Sequence, residues 1–401
     1  MIDSDVDRFA GVLLRLATTV HHKTTIEEVA DELLSDHTWS DVLAAQELVG
    51  KLKTIYDDLR RDSAATFEVA LSRFSELVDE VEAWDDVQAV WLPIVGVALP
   101  DGEVQLGSAR VRPLDEETTS EVTEHLAHAV QKHKSPSNQN KVFVDHVAQR
   151  IVRLRGLWEP ALLELHIKAS PARALELGQE RRTELVDLLR ARSLAMFSRK
   201  QRAGVGAPGE LPSDIDEGWA VSTTTSKLSM SASVRGPLQP FLLTHTVADE
   251  LAENGAFGFF SLIEKPPSER TEMEELLLTA VHWIADSALQ PTQDNQLLSL
   301  FIGLETLLTT GRTGITRDLV ETVAFLLERD LDRRRWVRDN LRALYEDRGK
   351  IAHRGGRGAS EEAVDWLTNV TIHILQRLLA RRDEFSDRRK LAKWVDTCRL
   401  T

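Results

Sequence analysis

One cysteine in 401 residues, Cys398, removes two classes of protein at once. An intrachain disulfide needs two thiols and a cysteine-built zinc site needs several, so the chain reads as the product of a reducing compartment with neither. Nowhere does an apolar run approach the roughly 18 residues of a membrane span, and the opening MIDSDVDRFAGVLL carries three aspartates where a signal peptide would carry basic residues. The expectation is a cytoplasmic protein with no membrane partner. HExxH and GxSxG are also missing, which removes the zincin and hydrolase-elbow readings. No metal and no cofactor is expected. Positive charge is scarce as well, with 49 Lys+Arg against 64 Asp+Glu and a net charge of −15, which argues against general duplex DNA binding by the whole surface.

What is present is ordinary for a globular chain, 42% hydrophobic and 28% charged, and long enough for two to three domains of about 150 residues each. The charge is unevenly placed. From residue 333 onward there are 17 Lys+Arg and 10 Asp+Glu, a net +7 that leaves −22 for residues 1–332. A nucleic-acid contact, if made, falls to the C-terminal part. Arginines outnumber lysines 36 to 13, as in bacteria with GC-rich genomes.

The spacing predicts a mainly α protein with an α+β middle region, in three parts. Residues 1–89 form an acidic helical region: VDRFAGVLLRLA, TTIEEVADELL and WSDVLAAQELVGKLKTIYDDL repeat apolar positions at three and four, with Thr25 as an N-cap. Residues 90–245 form the α+β domain. There VWLPIVGVAL and EVQLGSARVRPL read as two strands of a hairpin turned by Pro100-Asp101-Gly102. A helix follows over 116–133, then a loop at Ser135–Asn138, a strand ALLELHIKAS and a long helix from Pro171. WAVSTTTSKLSMSASV and PLQPFLLTH are further strand candidates, the first rich in hydroxyls. Residues 246–401 read as helices joined by short connections, an antiparallel bundle.

Most chemical motifs dissolve on inspection. Gly204-Val-Gly206-Ala-Pro-Gly209 fits GxGxxG but follows a helix and leads into more loop, so it offers no helix N-terminus to a pyrophosphate. His125, His128 and His133 share a helix without an accompanying carboxylate motif, and Arg15 with His21 has nothing basic or glycine-rich around it. The segment that remains is Leu344-Tyr-Glu-Asp-Arg348-Gly-Lys-Ile-Ala-His353-Arg-Gly-Gly, an R-x4-H pair with Lys350, Arg354 and Arg357 beside it. A guanidinium grips phosphate through two parallel hydrogen bonds, and a histidine exchanges a proton near neutrality. Chance alone predicts about one such pair in a chain with this composition, so context must carry the reading.

That context is a resemblance. Residues from about 275 to 382 resemble the HEPN superfamily, and within it the Apea-like HEPN domains: AVHWIADSA, the helix LLSLFIGLETLL with Leu304-Glu305, the spacer ITRDLVETVAFLL, LYEDRGKIAHRG, and EEAVDWLTNVTIHILQRLL, in that order. The resemblance implies a HEPN-type antiparallel bundle that forms a homodimer, and a metal-independent endoribonuclease that leaves a 2′,3′-cyclic phosphate. In it His353 would be the general acid or base, Arg348 would stabilise charge on phosphorus, and Glu305 would orient one of them. Lys350, Arg354, Arg357 and Tyr345 would hold substrate RNA. The family's biology implies a toxin-like effector of bacterial antiphage defence by abortive infection, with a protein or phage-derived trigger sensed by residues 1–245. The alternatives are a catalytically silent HEPN bundle used for dimerisation and for RNA or protein binding, and a structural adaptor. Gly349 departs from the small polar residue common there, which implies low or latent activity, and Glu346 and Asp347 stand ready to pair with the arginine. Five residues on an α-helix span about 140° around the axis, so Arg348 and His353 converge only if the helix breaks near Gly349 or if two chains contribute. The nine tryptophans are scattered among helices and read mostly as core anchors; Trp336 and Trp366, in the basic C-terminal part, are the two to test for RNA contact.

Overall fold

The computed structural model describes residues 3–18, 25–36, 38–62, 65–132, 149, 152–155, 157–196, 204–210, 215–221, 228–234, 239–252, 255, 257–309, 315–354 and 358–400; for residues 3–5, 36, 38, 126, 129–132, 196, 215–221, 228–234, 353 and 354 the description is of backbone alone. The chain is mainly helical with a small sheet region in its middle. It divides into two compact units, one of Met1–Val90, Leu165–Glu180 and Pro266–Glu269, the other of Trp91–Glu164, Arg181–Lys265 and Arg270–Thr401.

The first unit carries α1 (Asp3–Thr18), α2 (Ile26–Asp36), α3 (Ala45–Arg61) and α4 (Phe67–Glu82). Their apolar stripes close one core around Phe9, Leu13, Leu33, Leu48, Leu52 and Phe74. Thr25 caps α2 as its spacing predicts: the Glu28 N–H donates to Thr25 Oγ1 and the Thr25 N–H to the Glu28 carboxylate, a reciprocal box that satisfies two orphan donors.

Four strands form a sheet in the order β1-β5-β4-β3, where β1 is Val87–Ile94, β3 Val104–Leu106, β4 Ala109–Pro113 and β5 Ala161–Lys168. The hairpin expected around Pro100-Asp101-Gly102 does not form. β5 is buried at five consecutive positions, Ala161 to Leu165, and so doubly covered a strand belongs inside a sheet; it takes the place between β1 and β4 that a local hairpin would have closed. The tight turn lies instead at Gly107-Ser108 between β3 and β4, with Leu106 opposite Ala109. Gly107 has φ +53°, and a Cβ there would run into the Glu264 carboxylate that accepts the Ser108 N–H. Asp101 accepts the His245 N–H at 3.1 Å, and β2 (Val97–Ala98) pairs in parallel with β8 (Phe241–Leu242). The hydroxyl-rich run expected as one strand is two, β6 (Ile215–Val221) and β7 (Leu228–Val234), antiparallel with Val221 opposite Leu228. Period-2 alternation continues unaltered across a hairpin, so the pattern alone does not mark the turn. Residues 222–227 lie outside the described residues, as do the loop Ser135–Asn138, His133 and His21.

Between strands lie α5 (Glu116–Lys132) and α6 (Pro171–Met196), followed by α7 (His245–Leu251) and α8 (Phe260–Glu264). The second unit then continues as α9 (Glu272–Leu289), α10 (Gln293–Leu308), α11 (Ile315–Leu327), α12 (Leu331–Arg354), α13 (Glu361–Leu379) and α14 (Arg388–Leu400). Caps set the starts: Thr271 and Glu274 make a capping box on α9, and the hydroxyls of Thr292 and Ser360 accept N–H groups at the heads of α10 and α13. α10 is the axis of this set, packed against α9, α11, α12, α13 and α14. No helix among the described residues is long and apolar enough to cross a membrane.

An ion pair clasps α6 to α9. His282 Nδ1 lies 2.8 Å from the buried Asp187 carboxylate, which Arg190 also approaches at 3.5 Å, with Asp286 and Glu210 facing the same cluster. The hydrogen bond to Asp187 raises the His282 pKa above its ordinary value, and burial raises that of Asp187. Both shifts make the folded state hold protons that the unfolded chain has released, so stability falls as pH rises through the raised histidine value. Denaturant midpoints measured from about pH 6 to about pH 8 are expected to fall, and the fall is expected to be smaller in His282→Gln.

Candidate active site

α10 and α12 bring three of the expected residues together. On α10, Phe301 and Glu305 stand one turn apart, as do Tyr345 and Arg348 on α12, so two side chains of one helix meet two of the other. The Tyr345 hydroxyl donates to Glu305 Oε1 at 2.7 Å, and Arg348 Nη2 donates to Glu305 Oε2 at 3.3 Å. Phe301, fully buried, meets the Tyr345 ring edge-on with centroids 5.3 Å apart at 89°. The Arg348 guanidinium carbon lies 5.6 Å from the Tyr345 ring centre. Burial first, and then the hydrogen bond and charge of Glu305, push the Tyr345 phenol up to about 12. It therefore stays protonated at neutral pH and keeps donating to the carboxylate.

Arg348 is held but not used up. Its side chain is 24% exposed and that of Glu305 21%, a pair partly withdrawn from water, where a charge-assisted bond is worth more than at the open surface. Arg348 Nε is buried and has no hydrogen-bond partner among the described residues. An unpaired buried donor costs about 1–3 kcal/mol, and this one is closed off from solvent; the exposed part of the guanidinium is what an arriving oxygen can reach. Glu346 and Asp347 do not take the arginine: Asp347 pairs with Lys350, its neighbour one turn on, at 2.7 Å.

The helix does not break at Gly349. α12 continues through it to Arg354, so the backbone sets Arg348 and His353 about 140° apart around one axis. Arg348 lies on the face that Val337, Leu341 and Ile351 bury, and His353 falls on the opposite side of the helix. Arg354 closes α12, and Arg357 lies outside the described residues. Beyond them the chain is tied back to α10, since Asp294 Oδ1 accepts the N–H groups of Gly358 at 3.2 Å and Ala359 at 2.9 Å. Nothing lies within 4 Å of where a Cβ on Gly349 would stand. Gly349→Ala is therefore expected to stabilise the helix by about 0.5–1 kcal/mol, read as a higher denaturant midpoint.

Other motifs settle into structural roles. In the glycine loop, Gly206 exchanges both backbone bonds with Val95, the Gly204 N–H donates to the Gln239 carbonyl, and the Ala207 N–H to Glu210. Those donors are spent on the fold. His125 contacts the Glu121 carbonyl at 3.0 Å and the Trp91 ring, and His128 is exposed. No group of three or more His, Cys, Asp or Glu among the described residues is placed to hold a metal ion. Sequence reasoning passed over Phe301, which reads as an ordinary core residue, and the Asp187–His282 pair, whose members are separated by 95 positions with no motif to join them.

Compared with known proteins, the chain matches no family model, no curated protein and no solved structure.

Proposed function

We propose that the chain is a metal-independent endoribonuclease of HEPN type. The observation that carries the reading is Arg348: one edge anchored by Glu305 on the neighbouring helix, part of its side chain still exposed, and His353 on the same helix. In the proposed reaction the ribose 2′-oxygen attacks phosphorus as a base takes its proton. The bond from phosphorus to the 5′-oxygen breaks, and that oxygen leaves with a proton as a hydroxyl. Arg348 neutralises charge on the phosphoryl oxygens and His353 moves the proton. A separation of about 140° on an unbroken helix supports a homodimer in which one chain's arginine meets the other's histidine. The HEPN resemblance further supports a cytoplasmic, toxin-like effector of bacterial antiphage defence, with residues 1–245 answering a trigger.

A second reading, a silent bundle that dimerises and holds RNA, is favoured by one observation: Glu305 already occupies part of the Arg348 guanidinium. Incubation of the full chain with end-labelled RNA in EDTA separates the two. Fragments are expected on the first reading; RNA retained without any product supports the second and overturns the first.

A further inference from the structure

We propose that Trp336 and Trp366 form a base-stacking platform for single-stranded RNA on the outer side of α12; the proposal rests on the ribonuclease reading above and deepens it. The two indoles meet edge to face, with centroids 5.8 Å apart at 85°. Trp336 is 56% exposed, an open position for a side chain whose burial is ordinarily among the most favourable in a protein. Half-buried Trp366 braces it, so one flat π-surface is presented to solvent in a fixed orientation. Such a surface accepts any unpaired base and pays little entropy for doing so.

The surroundings are polar and do not suit a large apolar partner. The neighbours of Trp336 one turn away on α12 are Asp332, Arg333, Asp339 and Asn340, which do not extend a hydrophobic patch. Leu331, the other large exposed apolar side chain among the described residues of α12, lies about 140° around the axis. α12 as a whole bears eight Lys+Arg against four Asp+Glu in a chain of net charge −15. Arg335 pairs with Asp332 and Arg338 with Asp339; Arg333, one turn from Trp336, has no side-chain partner among the described residues, while Arg342 lies about 120° around the axis. On α13 the turn beside Trp366 is acidic, with Glu361, Glu362 and Asp365. Arg333 is thus the cation placed to meet a phosphate while the base lies on the rings.

The platform is also in line with the candidate site. Residues 336, 340, 343, 347 and 350 recur at four and three and so share one face of α12, all exposed except half-buried Asp347. That face runs roughly 20 Å from Trp336 to Lys350, one turn before His353. A strand stacked on Trp336 and following this face arrives at the Arg348–His353 segment.

The test uses the full chain carrying His353→Ala, so that RNA stays intact and binding is read separately from cleavage. Fluorescence anisotropy follows a fluorescein-labelled oligoadenylate, the same strand annealed to its complement, and an abasic ribose-phosphate strand. Trp336→Ala is expected to weaken the single strand about tenfold, and Trp336→Phe, which keeps a π-face, by no more than about threefold. Duplex and abasic strand are expected to bind no better than the alanine variant does. Equal affinity for parent and Trp336→Ala overturns the platform, as does equal affinity for single strand and duplex. Failure of the parent to bind any oligonucleotide also overturns it and leaves the patch to a protein partner. A chain that binds in this pattern but never cuts RNA sinks the ribonuclease reading while the platform stands.

Discussion

His353→Ala is expected to leave the fold intact and to lower the rate of RNA cleavage by about two to four orders of magnitude, the usual contribution of a positioned general acid or base. The residue sits at the end of α12, within two positions of where the described helix stops, so removing its imidazole takes away no helical hydrogen bond. Cleavage by the parent is expected to persist in EDTA. If two chains share a site, mixing His353→Ala with Arg348→Ala is expected to restore activity that neither has alone, since the heterodimer rebuilds one complete arginine-histidine pair. Rates measured on single variants and on the mixture check this. Undiminished cleavage by His353→Ala removes the histidine from the mechanism, whereas a mixture no better than its components removes the shared site.

Glu305→Ala is expected to cost about 2 kcal/mol of stability, the second large effect. Two groups lose their acceptor at once. The guanidinium of Arg348 is left partly buried without its counter-charge, and the Tyr345 hydroxyl, which burial keeps protonated, loses the carboxylate oxygen at 2.7 Å. Breaking a buried pair from one side is costlier than removing it whole, so Glu305→Ala with Arg348→Ala is expected to be less destabilised than the sum of the single variants. Denaturant midpoints for the four chains give the coupling directly. Strict additivity would mean that the 3.3 Å contact between Glu305 and Arg348 contributes nothing.

Local signals carried much of the architecture. Thr25 and Glu28, Pro171 at the head of α6, and the three-and-four repeats from α9 to α13 each report on residues a turn away, and such signals can be read without knowing the fold. The sheet was legible only in part. β1 and β5 are separated by more than sixty residues, and nothing near Pro100 announces that a strand from so far along the chain will displace a local hairpin. The contact of Glu305 with Arg348 was reached by resemblance and not by spacing, since 43 positions separate them. The course of α12 through Gly349 was open in the sequence, because glycine weakens a helix by about 1 kcal/mol without forbidding it. Tertiary contacts decided: Leu341, Val337 and Ile351 bury one face on both sides of the glycine and hold the helix through it.

The chemistry of the ends of cut RNA tests the central claim most directly. Fragments from incubation in EDTA, analysed by mass spectrometry, are predicted to carry 2′,3′-cyclic phosphate at one terminus and 5′-hydroxyl at the other. Fragments ending in 3′-hydroxyl and 5′-phosphate, or RNA left whole, would contradict it.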